Sequence, residues 1–313
     1  MNETRRAILE ALADGPVSGP ELAESLDVSR AAVWKQIDGL REDGFAIESG
    51  STGYELRDVP AYNGPAVEFE LEAPFSIEYR DSIGSTNDRA RELAAEGAAD
   101  VAVLADEQTG SRGRLEREWS SPSGGVWLSV LVRPEITPAQ APLYTLSAAV
   151  ATTNAAREAG VDARIKWPND VVVPVGDDGD YDKLVGILTE MEGEMDRVEW
   201  LAVGIGVNAN IDSTDLPEGA TSIREEAGDV DRRRFVQRLL ETFDEYRTDL
   251  ESVVPAWREL ALTLGQRVRV ERPSGDVVGE AIDVTEFGAL VVETDDGERV
   301  TVSAGDCEHL RPV

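Results

Sequence analysis

In residues 1–60 the apolar positions fall first at helical spacing and then in alternation. Ile8, Leu9 and Leu12 share one face of a helix predicted over Thr4 to Ala13, which Gly15-Pro16 stops. Ser18 caps a second helix with Leu22 and Leu26 inward, and Glu21 stands three residues on, in the capping-box position. After a short turn at Asp27-Val28, Ser29 caps a third helix in which Val33, Ile37 and Leu40 recur at i, i+4 and i+7. Phe45 to Ser49 and Tyr54 to Leu56 then alternate around Gly50-Ser51-Thr52-Gly53, which predicts a β-hairpin. Short helices, a tight turn, a third helix and a hairpin make a winged helix-turn-helix. Pro60 to Pro65 reads as a linker.

Beyond the linker the pattern switches between short buried strands and helical runs. Ser76 to Tyr79 leads into a helix over Asp88 to Glu96 with Leu93 inward, Val101 to Ala105 and Val126 to Leu131 are buried strands, and Ala141 to Ala159 is a long apolar helix. Lys183 to Glu190 and Trp200 to Asn208 are further strands, the first preceded by an acidic insertion from Val175 to Asp182 that reads as a solvated hairpin. Near the end, Arg267 to Val270, Val277 to Val284, Leu290 to Val292 and Val300 to Val302 are four short strands with turn residues between them, enough for a small barrel. The chain is therefore a multidomain α+β or α/β protein, divided as 1–60, 66–264 and 265–313.

Charge alters this picture more than any other bulk property. The 313 residues carry 62 Asp+Glu against 30 Lys+Arg, a net of −32. Such a charge makes the compact state repel itself at low ionic strength, and in molar salt, where the Debye length is about 3 Å, that repulsion is largely screened. The expectation is a protein of halophilic archaeal type in a high-salt cytoplasm. One His and one Cys exclude an internal disulfide, a Cys/His zinc site and a His-based triad. No apolar run approaches the roughly 18 residues of a membrane span, and Met1-Asn2-Glu3 does not open a signal peptide, so a soluble, cytoplasmic protein without a membrane partner is expected.

Several stretches carry candidate chemistry. Gly110-Ser111-Arg112-Gly113-Arg114, between Gln108-Thr109 and Glu116-Arg117-Glu118-Trp119, combines flexible backbone with forked cationic donors, which suits a phosphate or carboxylate as well as a solvated turn. The loop joins two strands and is expected at an edge of the sheet. Ser85-Thr86-Asn87 at a strand-to-helix junction either caps the helix or hydrogen-bonds a small ligand such as a ureido or amide group. At Lys166-Trp167-Pro168-Asn169-Asp170 the proline ends or bends a strand, leaving either a phosphate-and-metal corner or a structural turn. Gly204 and Gly206 mark close approach to a central strand, by a ligand or by a packed helix. Only Lys35, Lys166 and Lys183 are lysines, so each asks why an ammonium was kept. On the third helix Arg30, Trp34 and Lys35 face outward, toward a DNA groove or simply toward solvent. Residues 1–60 hold six basic and twelve acidic side chains, so a structural or dimerising winged helix is the competing reading. No stretch fits a P-loop or a Rossmann fingerprint.

Taken in order, Val28 to Lys35, Ser85 to Asn87, Gln108 to Trp119, Lys166 to Asp170, Lys183 to Glu190 and Gly204 to Asn208 resemble the biotin protein ligases that also carry a biotin-operon repressor domain, over essentially the whole chain. The resemblance implies a class II synthetase-like mixed sheet with helices followed by an SH3-like β-barrel. It implies ATP-dependent biotinylation of a lysine on biotin carboxyl carrier protein through biotinyl-5′-AMP. Ser85, Thr86, Asn87 and Gln108 would hold the biotin ring, and Arg112, Gly113 and Arg114 would meet its carboxylate and the phosphates. Lys183 would bridge carboxylate and α-phosphate, Trp119 would stack on adenine, Asn208 would reach the nucleotide, and Lys166 and Asp170 would orient phosphate and Mg²⁺. Operator DNA of biotin genes, read by Arg30, Trp34 and Lys35, and a homodimer are implied as further partners. The competing functions are a biotin-sensing DNA-binding regulator with little ligase activity and a lipoate-handling transferase. The family's loop runs Gly-Arg-Gly-Arg-x-Gly-Arg; here Ser111 replaces its first glycine, at little expected cost, and Glu116 its last, beside an anion site. The loop is expected to close as a lid over the adenylate.

Overall fold

The computed structural model describes residues 1–113, 119–176, 180–273 and 275–310. The first unit comprises α1 (Glu3–Ala13), α2 (Gly19–Ser25), α3 (Arg30–Glu42), β1 (Ala46–Gly50) and β2 (Gly53–Asp58). Ser18 and Glu21 form the reciprocal capping box on α2, and Ser29 accepts from Ala32 N to cap α3. Ile8, Leu9, Leu12, Leu22, Val33, Ile37 and Leu40 close one core under the wing.

The presumed linker is packed rather than free. Helix α4 (Gly64–Glu68) starts inside it, Asn63 caps that helix and donates to Asp43 O, and Phe69 returns to the first core edge-on to Phe45, 6.2 Å between centroids. Tyr62 is half-buried between Tyr79 and the Arg232 guanidinium, which lies 4.1 Å above its ring. Arg232 in turn donates to Asp106 at 2.6 Å. Burial opposes ionisation of Asp106, but hydrogen bonds from Ser123 and Arg232 hold its carboxyl below the usual range. Proline and glycine hid these anchors, because composition reports backbone freedom and not what a side chain finds to pack on.

The central sheet has seven strands in the order β3 (Ser76–Ile83), β4 (Val101–Gln108), β5 (Val126–Val132), β9 (Val198–Val207), β8 (Asp180–Gly193), β7 (Asp170–Val175) and β6 (Arg164–Lys166) among the described residues. Only β3 and β4 are parallel, joined across α5 (Thr86–Ala95); the other pairs are antiparallel. Because side chains alternate along a strand, each strand feeds two faces. Leu128 and Val130 of β5 and Leu201, Val203 and Ile205 of β9 pack under α6 (Pro142–Glu158), α8 (Arg232–Thr248) and α9 (Leu250–Leu260); a short α7 (Ile223–Ala227) precedes α8. Val101, Val103, Leu131 and Ala202 take Ala90 and Leu93 of α5 on the other face. The loop after β4 therefore leaves the strand ends of two interior strands, not a lateral edge, because β3 and β9 flank the β4–β5 pair.

The C-terminal unit has a fifth strand beyond the four expected. β10 (Arg267–Glu271), β11 (Val277–Val284), β12 (Leu290–Thr294), β13 (Arg299–Val302) and β14 (Asp306–His309) form an antiparallel sheet in the order β13-β12-β11-β10-β14. Its inward Val268, Val270, Ala281 and Val292 join the core of the central sheet, and Trp167 Nε1 donates to Gly288 O across the junction. No helix among the described residues is long and apolar enough to cross a membrane.

Candidate active site

On the α5 face, β5, β8 and β9 carry small residues in register: Ser129 opposite Gly204, and Gly206 opposite Gly186. The result is a trough in an otherwise close-packed sheet, opening into a cavity of about 690 Å³. A Cβ on Gly204 would stand 2.5 Å from Asn87 Oδ1, and one on Gly206 would stand 2.9 Å from Trp119 Nε1. The glycines therefore admit two of the chain's own side chains, Asn87 from α5 and the Trp119 indole. Asn87 belongs to α5, so the packed-helix alternative holds at Gly204, whereas neither alternative named the Trp119 indole at Gly206.

Ser85 is the α5 N-cap, its hydroxyl accepting from Asp88 N at 3.4 Å, so capping is part of its work. Thr86 and Asn87 are buried in the first turn, held from below. Asn87 Nδ2 donates to Glu190 at 2.8 Å and to Leu188 O at 3.2 Å, while Ser129 Oγ lies 2.6 Å from its Oδ1. Gln108 Oε1 accepts from Thr86 N at 2.8 Å. Glu190 and Ser129 escaped the sequence reading as partners of this cluster; their strand alternation, shared with Gly204, was the signal available.

Across the cavity, Lys183 Nζ lies 2.8 Å from Asp170 Oδ1 and 4.9 Å from the Trp119 ring centroid. Asp170 Oδ1 nevertheless lacks a well-directed hydrogen bond, as does buried Trp119 Nε1. The Trp119 donor is thus unspent beside the cavity, which fits a polar ligand, whereas Asp170 Oδ1 is engaged by the Lys183 ammonium. Lys166 is buried at the end of β6, with its ammonium 5.3 Å from the Tyr181 ring. Asn169 turns the corner by donating to Ile187 O. Arg112 reaches Asp88 at 3.1 Å. Arg114 and Glu116 lie outside the described residues.

The structure thus brings Ser85, Thr86, Asn87, Gln108, Arg112, Gly113, Trp119, Lys166, Asp170 and Lys183 to one cavity. Asn208 is not among its lining residues. Buried behind β8, it donates to Thr221 O at 3.0 Å and ties strand ends together. No group of three or more His, Cys, Asp or Glu suited to a metal occurs among the described residues. Arg30, Trp34 and Lys35 are elsewhere, exposed together on α3, Trp34 at 58%.

The cavity's far wall comes from β10 and β14, which bring Glu271, Cys307 and Glu308 beside Lys166. His309, behind it, is edge-on to Tyr181 and 3.1 Å from Thr263 Oγ1; burial, with Lys166 adding to it, pushes its pKa down to about 4. The folded chain therefore refuses a proton that the unfolded chain accepts below about pH 6.5, and this group's contribution is lost as pH falls toward 4 and is constant below it. Urea midpoints should accordingly fall less from pH 7 to pH 5 in His309→Gln than in the parent; equal falls would contradict the assignment.

The biotin/lipoate A/B protein ligase family model matches residues 79–208, the biotin protein ligase C-terminal domain matches 263–310 and a helix-turn-helix domain matches 4–55. The chain is 36% identical over 309 residues to the bifunctional ligase/repressor BirA of Bacillus subtilis, covering 92% of each. It is 34% identical to the biotin–[acetyl-CoA-carboxylase] ligase of Mycobacterium tuberculosis over 242 residues, 73% of this chain and 86% of that one. Among solved structures, the Aquifex aeolicus biotin protein ligase in complex with biotin and ATP aligns with a TM-score of 0.64 at 26% identity, covering 75% of this chain and 99% of that one.

Proposed function

The chain belongs to the biotin/lipoate A/B protein ligase family in its bifunctional ligase/repressor form, and we infer that it biotinylates a carrier-protein lysine at the expense of ATP. The observation that carries this reading is the single cavity that gathers a neutral hydrogen-bonding cluster, Thr86, Asn87 and Gln108, together with the cations Lys183, Lys166 and Arg112. A cyclic urea with a carboxylate tail meets both chemistries.

In the first step the biotin carboxylate attacks the α-phosphate of ATP, a P–O bond breaks and pyrophosphate leaves. In the second the carrier lysine amine attacks the mixed anhydride, AMP leaves and an amide forms. Carboxylate is already a nucleophile and AMP a competent leaving group, so positioning and charge stabilisation suffice without His, Cys or an activated Ser. We assign Lys183 to the carboxylate and α-phosphate, Arg112 and Arg114 to the anions, and Trp119 to adenine. Mg²⁺ would arrive on the phosphates of ATP, where one or two protein carboxylates commonly suffice, and Asp170 is the residue we assign to it. Asn208 acts from behind by holding the strand end that carries Lys183. The purified protein with biotin, Mg-ATP and a carrier domain in molar KCl should label the carrier; absence of labelling would remove the ligase reading and leave the biotin-sensing regulator.

The exposed Arg30, Trp34 and Lys35 on a capped recognition helix favour operator binding by the 1–60 unit alongside the 66–264 catalytic and 265–313 C-terminal units. Arg30→Ala and Lys35→Ala should each lower the log–log salt slope of binding to DNA upstream of biotin genes by about one. Unchanged slopes would leave the winged helix a structural or dimerising element, which sedimentation with biotin and ATP would detect. The net charge of −32 supports a cytoplasmic protein adapted to high salt, although the relatives named above are bacterial and give the archaeal expectation no support. A melting temperature highest without KCl would remove that adaptation.

A further inference from the structure

We infer that Ser111 is a positioning residue that joins the biotin half of the cavity to its nucleotide half. The inference rests on reading the cavity as the biotin and ATP site. Ser111 Oγ lies 2.6 Å from Trp119 O, which can only accept, so the serine proton points there. Ser121 Oγ lies 2.8 Å from Ser111 Oγ and therefore donates to it. With that proton spent, Ser121 meets Gln108 Nε2 at 3.3 Å with a lone pair, and Gln108 Oε1 is left for Thr86 N at 2.8 Å.

A second acceptor closes the network at its other end. The Glu190 carboxylate and Leu188 O take both hydrogens of Asn87 Nδ2, so Asn87 Oδ1 accepts from Ser129 Oγ at 2.6 Å. Ser129 then meets Thr86 Oγ1 at 2.7 Å with its lone pair. Proton directions are thus set from Glu190 to Trp119 O, and Gln108 keeps one N–H for the cavity.

The chain passes through Ser111 at one position only. Its hydroxyl holds together backbone on both sides of residues 114–118 and ties Trp119, whose indole lies against Gly186 and Gly206, to the amide of Gln108. A glycine here, as in the family's usual loop, has no such hydroxyl. Ser111 is therefore more than a tolerated replacement: it makes the placement of a nucleotide-side ring depend on the placement of a biotin-side amide.

Loss of one neutral hydrogen bond of this kind corresponds to about fivefold in an equilibrium constant. Biotin-dependent ATP–pyrophosphate exchange by Ser111→Ala should show KM for biotin and KM for ATP each raised about fivefold, with kcat within twofold of the parent. Ser111→Thr, which keeps the hydroxyl, should restore both constants. Ser121→Ala should reproduce the Ser111→Ala effect, and the double variant should be no worse than either single one, because both break one chain. Unchanged KM values, an effect on one substrate alone, or additive losses in the double variant would overturn the inference. An unmodified protein without biotin-dependent exchange would instead remove the reading of the cavity itself; activity in the parent with no effect of either serine removes only the role of Ser111. Should Ser111→Ala fail to fold, Ser121→Ala and Ser111→Thr decide the question.

Discussion

Lys183→Ala is expected to slow biotin-dependent pyrophosphate release by roughly 10²- to 10³-fold, the loss typical of removing one preorganised group that stabilises developing charge. Lys183 stands at the cavity wall with its ammonium 2.8 Å from Asp170 and 4.9 Å from the Trp119 ring centroid. Its backbone is fixed independently of the ammonium: Lys183 N donates to Gly219 O at 2.8 Å, and Lys183 O accepts from Thr221 N at 3.0 Å. Truncation therefore leaves β8 in register. The ion pair is partly exposed and contributes on the order of 1 kcal/mol or less to folding, so the melting temperature should hardly move. Single-turnover pyrophosphate release with saturating biotin and ATP separates chemistry from binding. Near-normal turnover would take Lys183 out of the mechanism. Unfolding of the variant would instead make Lys183 a structural residue.

Gly204→Ala should raise the biotin KM more than tenfold and destabilise the fold by about 1–3 kcal/mol, as overpacking a filled core does. The added methyl would stand 2.5 Å from Asn87 Oδ1 and 3.0 Å from its Cγ. Asn87 cannot retreat cheaply, since Glu190, Leu188 O and Ser129 hold it. Gly206→Ala makes the control. Its methyl would meet Trp119, 2.9 Å from Nε1, so its larger effect should fall on the ATP KM. Steady-state kinetics in both substrates distinguishes the two ends of one trough; equal effects of both variants on both substrates would mean that the glycines serve the sheet as a whole.

Much of this fold was legible in the chain because it rests on local rules. The α2 capping box, the α3 cap at Ser29 and the i, i+4, i+7 face of Val33, Ile37 and Leu40 are short-range statements, and the structure reproduces them. What the linker packs on was illegible for the opposite reason: Tyr62 is ordered by Arg232 and Tyr79, the former 170 positions away in sequence, and no local pattern reports such a partner. Strand β14 was missed because Asp306–His309 is short and largely polar and is made a strand by pairing with β10.

The sequence by itself determined which residue types stand where: the order of the motifs, the three lysines, the single His and Cys, and the glycines on alternate positions of β9. These follow from residue type and spacing, which a linear chain displays in full. Only the tertiary structure decided what surrounds them. It assigned Gly204 to Asn87 and Gly206 to Trp119, set Asn208 behind the cavity, paired Lys183 with Asp170 and placed Ser111 between Trp119 and Gln108. Each of these depends on cross-strand register or on side chains meeting across the fold, and such distances exist only once the sheet has formed.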